Sequence, residues 1–241
     1  MNNFRQYSQG LILIEVAIAM VIFSLCIGGA LMMIQTSQYA QQDQTTHNHR
    51  KMIINALNRY HRQLGYLPCP SQPVSDDGFA LERCSGPEQQ IGILPYKTLG
   101  LPAYIAKDGA GHYFTYAISE YASLTLTQHT ELRNNINILD KEGRRYASET
   151  QDIAFVLISH GPKGNGAFSL QPGRKRFATN SFFENENAKD TLTFYADIPF
   201  KDSTNDVFFI QRADLDTPIP STTPASLPPT AVSEENPYGT D

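Results

Sequence analysis

Two hydrophobic patterns divide this chain. Residues 11–34 read LILIEVAIAMVIFSLCIGGALMMI, with Glu15 as the single formal charge in 24 positions. About 20 consecutive apolar residues are enough to cross a bilayer as a helix. No other stretch approaches that length, so the pattern predicts one crossing with the rest of the chain on one side. Residues 1–10 (MNNFRQYSQG) are polar and carry one basic side chain, Arg5. Positive charge favours the cytoplasmic side, which places residues 1–10 inside and everything after residue 34 outside. The helical pattern then continues without Pro or Gly through the polar residues 35–46. Ile53, Leu57, Tyr60 and Leu64 recur at helical spacing and form a stripe suited to packing against a globular body. Gly65 and Pro68 end the helix. Residues 11–64 as one helix would measure about 80 Å, with Gly28 and Gly29 as a place to bend.

After residue 65 the period shortens from that of a helix to that of strands. Residues 112–119 (HYFTYAIS), 153–159 (IAFVLIS), 192–196 (LTFYA) and 207–211 (VFFIQ) are short, β-branched or aromatic, and bounded by turn residues. Residues 153–158 are apolar at every position, the mark of a central strand covered on both faces. The predicted class is α+β, a long N-terminal helix packed on an antiparallel sheet. Residues 216–241 are rich in Pro, Ser and Thr and read as a disordered tail. The organisation is thus a leader (1–10), a transmembrane segment (11–34), an amphipathic helix and α+β domain (35–215), and a tail (216–241).

Composition refines this picture in three places. A mean hydropathy of −0.33 suits a soluble protein and hides the apolar first quarter. A net charge of −5 argues against a nucleic-acid binder that relies on a positive field. Cys69 and Cys84 bracket a Pro/Gly/Asp-rich loop, and closing a loop of about 15 residues stabilises by roughly 3 kcal/mol. A metal would need two further ligands at fixed spacing, and none is near, so a disulfide in an exported body is the better reading. Cys26 is left over in the apolar helix, where it acts as a small apolar residue.

Candidate chemistry is sparse. His47 and His49 lie two apart on a helix and point to different faces, which does not suit a shared metal. Ser159 and His160 suggest a nucleophile and base, but neighbours on a strand face opposite ways and no orienting carboxylate is identifiable. The glycines of residues 161–168 serve a tight turn, since Ala167 and Phe168 stand where a phosphate loop needs Lys and Ser/Thr. Arg174, Lys175 and Arg176 form the only basic cluster, usually a solvated surface, with DNA contact as the minor alternative. No catalytic residues are identified, and an enzyme is not expected.

Glu15 is the informative residue. A carboxylate inside a membrane helix costs about 2.5–3.5 kcal/mol on insertion scales and calls for a partner. A secretory signal peptide is the plainer alternative, but its apolar core spans roughly 7–15 residues and avoids charge. The polar leader ending in Gly10, the apolar Leu11 after it and Glu15 as fifth residue beyond the glycine resemble the type IV prepilin signature. That family includes type IV pilins and the pseudopilins of type II secretion. The resemblance implies cleavage between Gly10 and Leu11 by prepilin peptidase, and N-methylation of Leu11, where Phe or Met is more usual. It implies a pilin-like fold, with segments 94–119, 155–168 and 205–211 matching the body more loosely. In such a protein Glu15 can reach the Leu11 amine of a neighbouring subunit and pin the register between helices.

The expected function is therefore that of a structural subunit, a minor pilin or pseudopilin of a type IV pilus or type II secretion filament. Its expected partners are prepilin peptidase, other pilin or pseudopilin subunits and the inner-membrane assembly platform. The expected location is the inner membrane, with a periplasmic C-terminal domain, and the filament after assembly. A pilus-tip binding protein, adhesive or DNA-contacting, and a membrane-tethered periplasmic enzyme are the alternatives. No cofactor is expected. Asp197, Asp202 and Asp206 are the candidates for calcium, which a C-terminal loop holds in major pseudopilins, although three acidic residues in a loop are more often just solvated.

Overall fold

A computed structural model describes residues 5–73, 77–123, 135–146, 152–169, 179–198 and 202–215, leaving aside the side chains of 5–13, 28–36 and 121. Helix α1, Arg5–Leu64, is 60 residues long and contains no proline. It runs unbroken through Gly10, Leu11, Gly28 and Gly29. Gly65, at φ 77°, stops it by donating its N–H to the His61 carbonyl at 2.7 Å. Side chains 14–27 are all exposed, whereas Ile53, Ile54, Ala56 and Leu57 are buried in the core. The expected stripe is thus shifted around the helix, with Tyr60 half-buried and Leu64 exposed at the end. Among the described residues no helix carries a stretch long and apolar enough to cross a membrane. The apolar run at 11–34 lies within those side chains only at 14–27.

The body is mixed helix and strand. Strands β1 (Ile91–Ile93), β2 (Thr115–Ile118), β4 (Ile153–Ser159) and β6 (Asp206–Gln211) form an antiparallel sheet in the order β1-β2-β4-β6. Every residue of β4 is buried, as its apolar run at 153–158 requires of a strand flanked by β2 and β6. Its Phe155 joins Tyr116 of β2 and Leu57 of α1 in the core, where the Tyr116 hydroxyl donates to the Pro68 carbonyl at 3.1 Å. Burial pushes the Tyr116 pKa up, so this donor stays protonated.

Strands β3 (Asn137–Leu139) and β5 (Thr193–Tyr195) differ from expectation, because they pair in parallel as a separate two-stranded sheet. The segment at 192–196 is therefore a strand outside the antiparallel sheet. Among the described residues, two short helices, α2 (Pro87–Gln90) and α3 (Phe182–Asn187), complete the body with three single-turn 3₁₀ segments. The Ser181 side chain caps α3 by accepting the Glu184 N–H. Cys69 and Cys84 are bonded, with Cα atoms 5.7 Å apart, and Cys26 is free and exposed.

Candidate functional site

Three places gather the residues singled out by the sequence. The first is the N-terminal half of α1. Gly10 and Leu11 lie within its helical backbone, while their side chains lie outside the described ones. Glu15 is exposed, among Ile14, Val16, Ile18 and Val21, which are exposed as well. Among the described residues it has no ion-pair partner within the chain. A lone carboxylate on an apolar helical surface is poorly served by that surface and well placed for a partner from another molecule.

The second place is a buried tie between the turn at 107–112 and the end of β4. Asp108 is 3% exposed, and its Oδ2 accepts from the Ser159 hydroxyl at 3.0 Å and the His160 N–H at 3.1 Å. Its Oδ1 accepts from the backbone N–H groups of Ala110 and His112. The carboxylate that sequence reading did not find beside Ser159 is therefore Asp108, recognisable afterwards as an Asp-Gly-Ala-Gly turn signature. His160 is held elsewhere, between the Thr115 hydroxyl at 2.8 Å and the Asn165 carbonyl at 3.0 Å. Ser159 and His160 thus have separate partners, and all three side chains join elements of the body. The turn that follows places Gly161, Gly164 and Gly166 at positive φ, as a tight reversal demands.

The third place is where α1 meets the body. Gly109 lies so close to the helix that a Cβ there would sit 2.0 Å from the Gln42 carbonyl oxygen, and its N–H donates to Thr46 Oγ1 at 2.8 Å. Arg50 reaches across to β6, donating to Asp206 Oδ2 at 2.5 Å and stacking over the Phe208 ring at 5.1 Å. It also donates to His47 Nδ1 at 3.0 Å. Burial, then the charges of Arg50 and Lys51, lower the His47 pKa and keep the ring neutral as this acceptor role requires. His49 donates from Nδ1 to the Lys107 carbonyl at 2.7 Å and fastens α1 to the body, whereas His47 bonds within the helix. Between α1 and residues 197–198 and 203–207 lies a cavity of about 410 Å³.

The calcium candidates do not converge. Asp206 is held by Arg50, Asp202 by Lys141 Nζ at 2.7 Å, and Asp197 accepts from the Tyr146 hydroxyl. Among the described residues no group of three His, Cys, Asp or Glu side chains is arranged to hold a metal ion. Separate partners spread over α1 and the body draw the three carboxylates apart. Arg174, Lys175 and Arg176, and the tail at 216–241, lie outside the described residues.

Glu184 and Asn187 on α3 are buried anchoring residues that the sequence did not flag. The buried Glu184 carboxylate accepts from Asn165, from Thr179 at 2.6 Å, and from both the N–H and hydroxyl of Thr204. Burial alone would raise its pKa, but these four donors outweigh it and hold the pKa below the usual range. Beside this rigid helix Phe182, Phe183 and Tyr195 pack edge-to-face with centroids 5.3–5.8 Å apart, and Phe182 is 60% exposed. Comparisons with family models, curated proteins and solved structures find no match.

Proposed function

We propose that this chain is a structural subunit, a minor pilin or pseudopilin, that is cleaved after Gly10 and built into a type IV pilus or type II secretion filament through α1. The carrying observation is Glu15: a carboxylate without a partner in the chain, on an exposed apolar helical surface five residues after Gly10. The two-part helix supports the reading, since residues 14–27 touch nothing in the body while residues 53–57 help build its core. In the filament the apolar surface exchanges lipid for neighbouring helices, and Glu15 pairs with the free Leu11 amine of the next subunit. Inner membrane before assembly, periplasm for the body, and prepilin peptidase and fellow subunits as partners follow from that role.

The deciding experiment measures the N-terminus of the membrane-bound protein by mass spectrometry, then co-purification with sheared filaments. The wild type should begin at Leu11. Glu15→Val should be exported and cleaved normally yet fail to enter filaments, because an unpaired buried amine costs about 3–5 kcal/mol. An N-terminus elsewhere, or equal incorporation of the variant, would overturn the proposal.

A second reading, a tip subunit that binds a surface or another molecule, draws on the exposed Phe182, backed by the half-buried Phe183 and Tyr195. Losing adhesion but not assembly in Phe182→Ser would favour it.

A further inference from the structure

The four-stranded sheet treats its two edges differently. At β1 the outer rim is closed, because Ser71 and Ile93 exchange backbone bonds of 3.0 Å in both directions. At β6 the ladder stops, with β4 as its one neighbour among the described residues. The direction of the β6 backbone groups follows from the bond just past its end, where the Arg212 N–H donates to the Asp152 carbonyl at 2.8 Å. Successive residues of a strand point to opposite sides of it, so Asp206, Phe208 and Ile210 also face β4. The β4 side agrees, since Ala154 turns its carbonyl to Ser119 and thereby leaves Phe155, Leu157 and Ser159 to face β6. The N–H and C=O groups of Val207, Phe209 and Gln211 therefore point away from the sheet, and none has a hydrogen-bond partner among the described residues. Such groups are kept by water, and they form the row on which another strand adds. Proline, which commonly blunts such an edge, is absent from β6.

We infer that the free edge of β6 pairs with β6 of a second copy of this chain, antiparallel and centred on Phe209. In that register Val207 of each copy exchanges bonds with Gln211 of the other, and Phe209 exchanges bonds with its own counterpart. Every outward N–H and C=O then has a partner. The charges select the same register. The strand opens with Asp206 and is followed by Arg212, so turning the segment round sets Asp206 opposite Arg212 at both ends. Residues so placed share no backbone bonds, the arrangement in which facing side chains approach most closely. The Asp206 side chain is 57% exposed, and its bond to Arg50 uses Oδ2 and leaves Oδ1 for a second donor. A slip of two residues would instead set Asp206 opposite Ile210 or opposite the like charge of Asp214. A contact that uses the same patch on both partners closes as a dimer, and one the size of a single strand pair makes a transient dimer. The inference rests on the body alone. The pairing reverses β6 between the copies, so it joins bodies that point opposite ways and is separate from the side-by-side packing proposed for α1.

The test is sedimentation of the full chain in density-matched detergent micelles, with α1 common to every variant. The wild type should pass from monomer to dimer as its concentration rises from about 1 μM to about 1 mM. Gln211→Pro removes an outward N–H and no bond to β4, and the φ of −79° at Gln211 already suits proline. It should weaken dimerisation at least about tenfold and leave the melting temperature near that of the wild type. Gln211→Ala, which keeps the N–H, should dimerise like the wild type. Charge exchange tests the register: Arg212→Glu and Asp206→Lys each set like charges opposite one another and should weaken dimerisation alone. An equal mixture of the two pairs opposite charges at both ends and should restore it. A wild type that stays monomeric at about 1 mM would overturn the inference. Equal association of Gln211→Pro would place the contact elsewhere on the chain, α1 included, and would also overturn it, as would a mixture of folded charge variants that stays apart. Should Asp206→Lys lose its fold along with the Arg50 bond, the proline variant decides. None of these failures touches the cleavage after Gly10 or the role of Glu15, which are read from other measurements.

Discussion

The two ends of α1 place similar side chains in opposite circumstances. Ile18 and Val21 near its start are 55% and 60% exposed, whereas Ile53 and Leu57 near its end are fully buried. Burying an aliphatic side chain is worth about 1.5–3 kcal/mol, so the second pair stabilises the body and the first contributes nothing to it. Exposed apolar surfaces of this extent generally mark contact with another protein or a membrane. The helix is therefore a structural wall at one end and, on the proposed reading, an interface awaiting its partner at the other.

The sharpest way to break this comparison is to cut the same side-chain size from both ends. Leu57→Ala should destabilise the body by about 2–5 kcal/mol in denaturant unfolding. Ile18→Ala should leave that unfolding within about 0.5 kcal/mol of wild type. A matching loss at Ile18 would mean that the first half also packs on the body. Reducing Cys69–Cys84 comes next, with an expected loss of about 3 kcal/mol for a separation of 15 residues. It should loosen the link between helix and sheet and leave the exposed half of α1 untouched, which hydrogen exchange would resolve.

Gly109→Ala tests the point where the two circumstances meet. Its new methyl would collide with the Gln42 backbone, which has no rotamer to yield, so about 1–3 kcal/mol should be lost and exchange should quicken around residue 42. The smallest effect belongs to Glu184 on α3. Its pKa is lowered on folding, so its contribution is complete above the ordinary glutamate range and fades as pH falls through the folded value. Glu184→Gln should cost about 1–2 kcal/mol at neutral pH and flatten the acid side of the stability profile, as calorimetry against pH would show.

What the sequence made legible was what local pattern determines. The end of α1 follows from Gly65 and Pro68, and β4 follows from the six consecutive apolar residues at 153–158, which a doubly covered strand accommodates. Strand β1 is three residues long with Gly92 at its centre, where a Cβ would meet the Ser71 carbonyl at 2.4 Å, so its sequence looks like a turn. The parallel pairing of β3 and β5 joins segments more than fifty residues apart, and neither announces its partner. Asp108 and the cavity were illegible for the same reason. Asp108 serves a strand end 51 positions later, and Gln42 and Asn205 line one space from opposite ends of the domain. The three aspartates near the last strand looked like one cluster in sequence, and cations drawn from elsewhere in the chain separated two of them.

One detail of the small sheet reaches further than its size suggests. The Asn187 side chain accepts the Tyr195 N–H at 2.7 Å and donates to the Tyr195 carbonyl at 3.1 Å, acting as a one-residue imitation of a neighbouring strand. Ser71 does the same for Ile93 through its own backbone. A sheet rim closed in this way offers no template on which another chain can crystallise into ribbon. If the proposed filament forms, such plugs would matter there, because order among many copies would have to come from α1 and not from stickiness along those sheet edges.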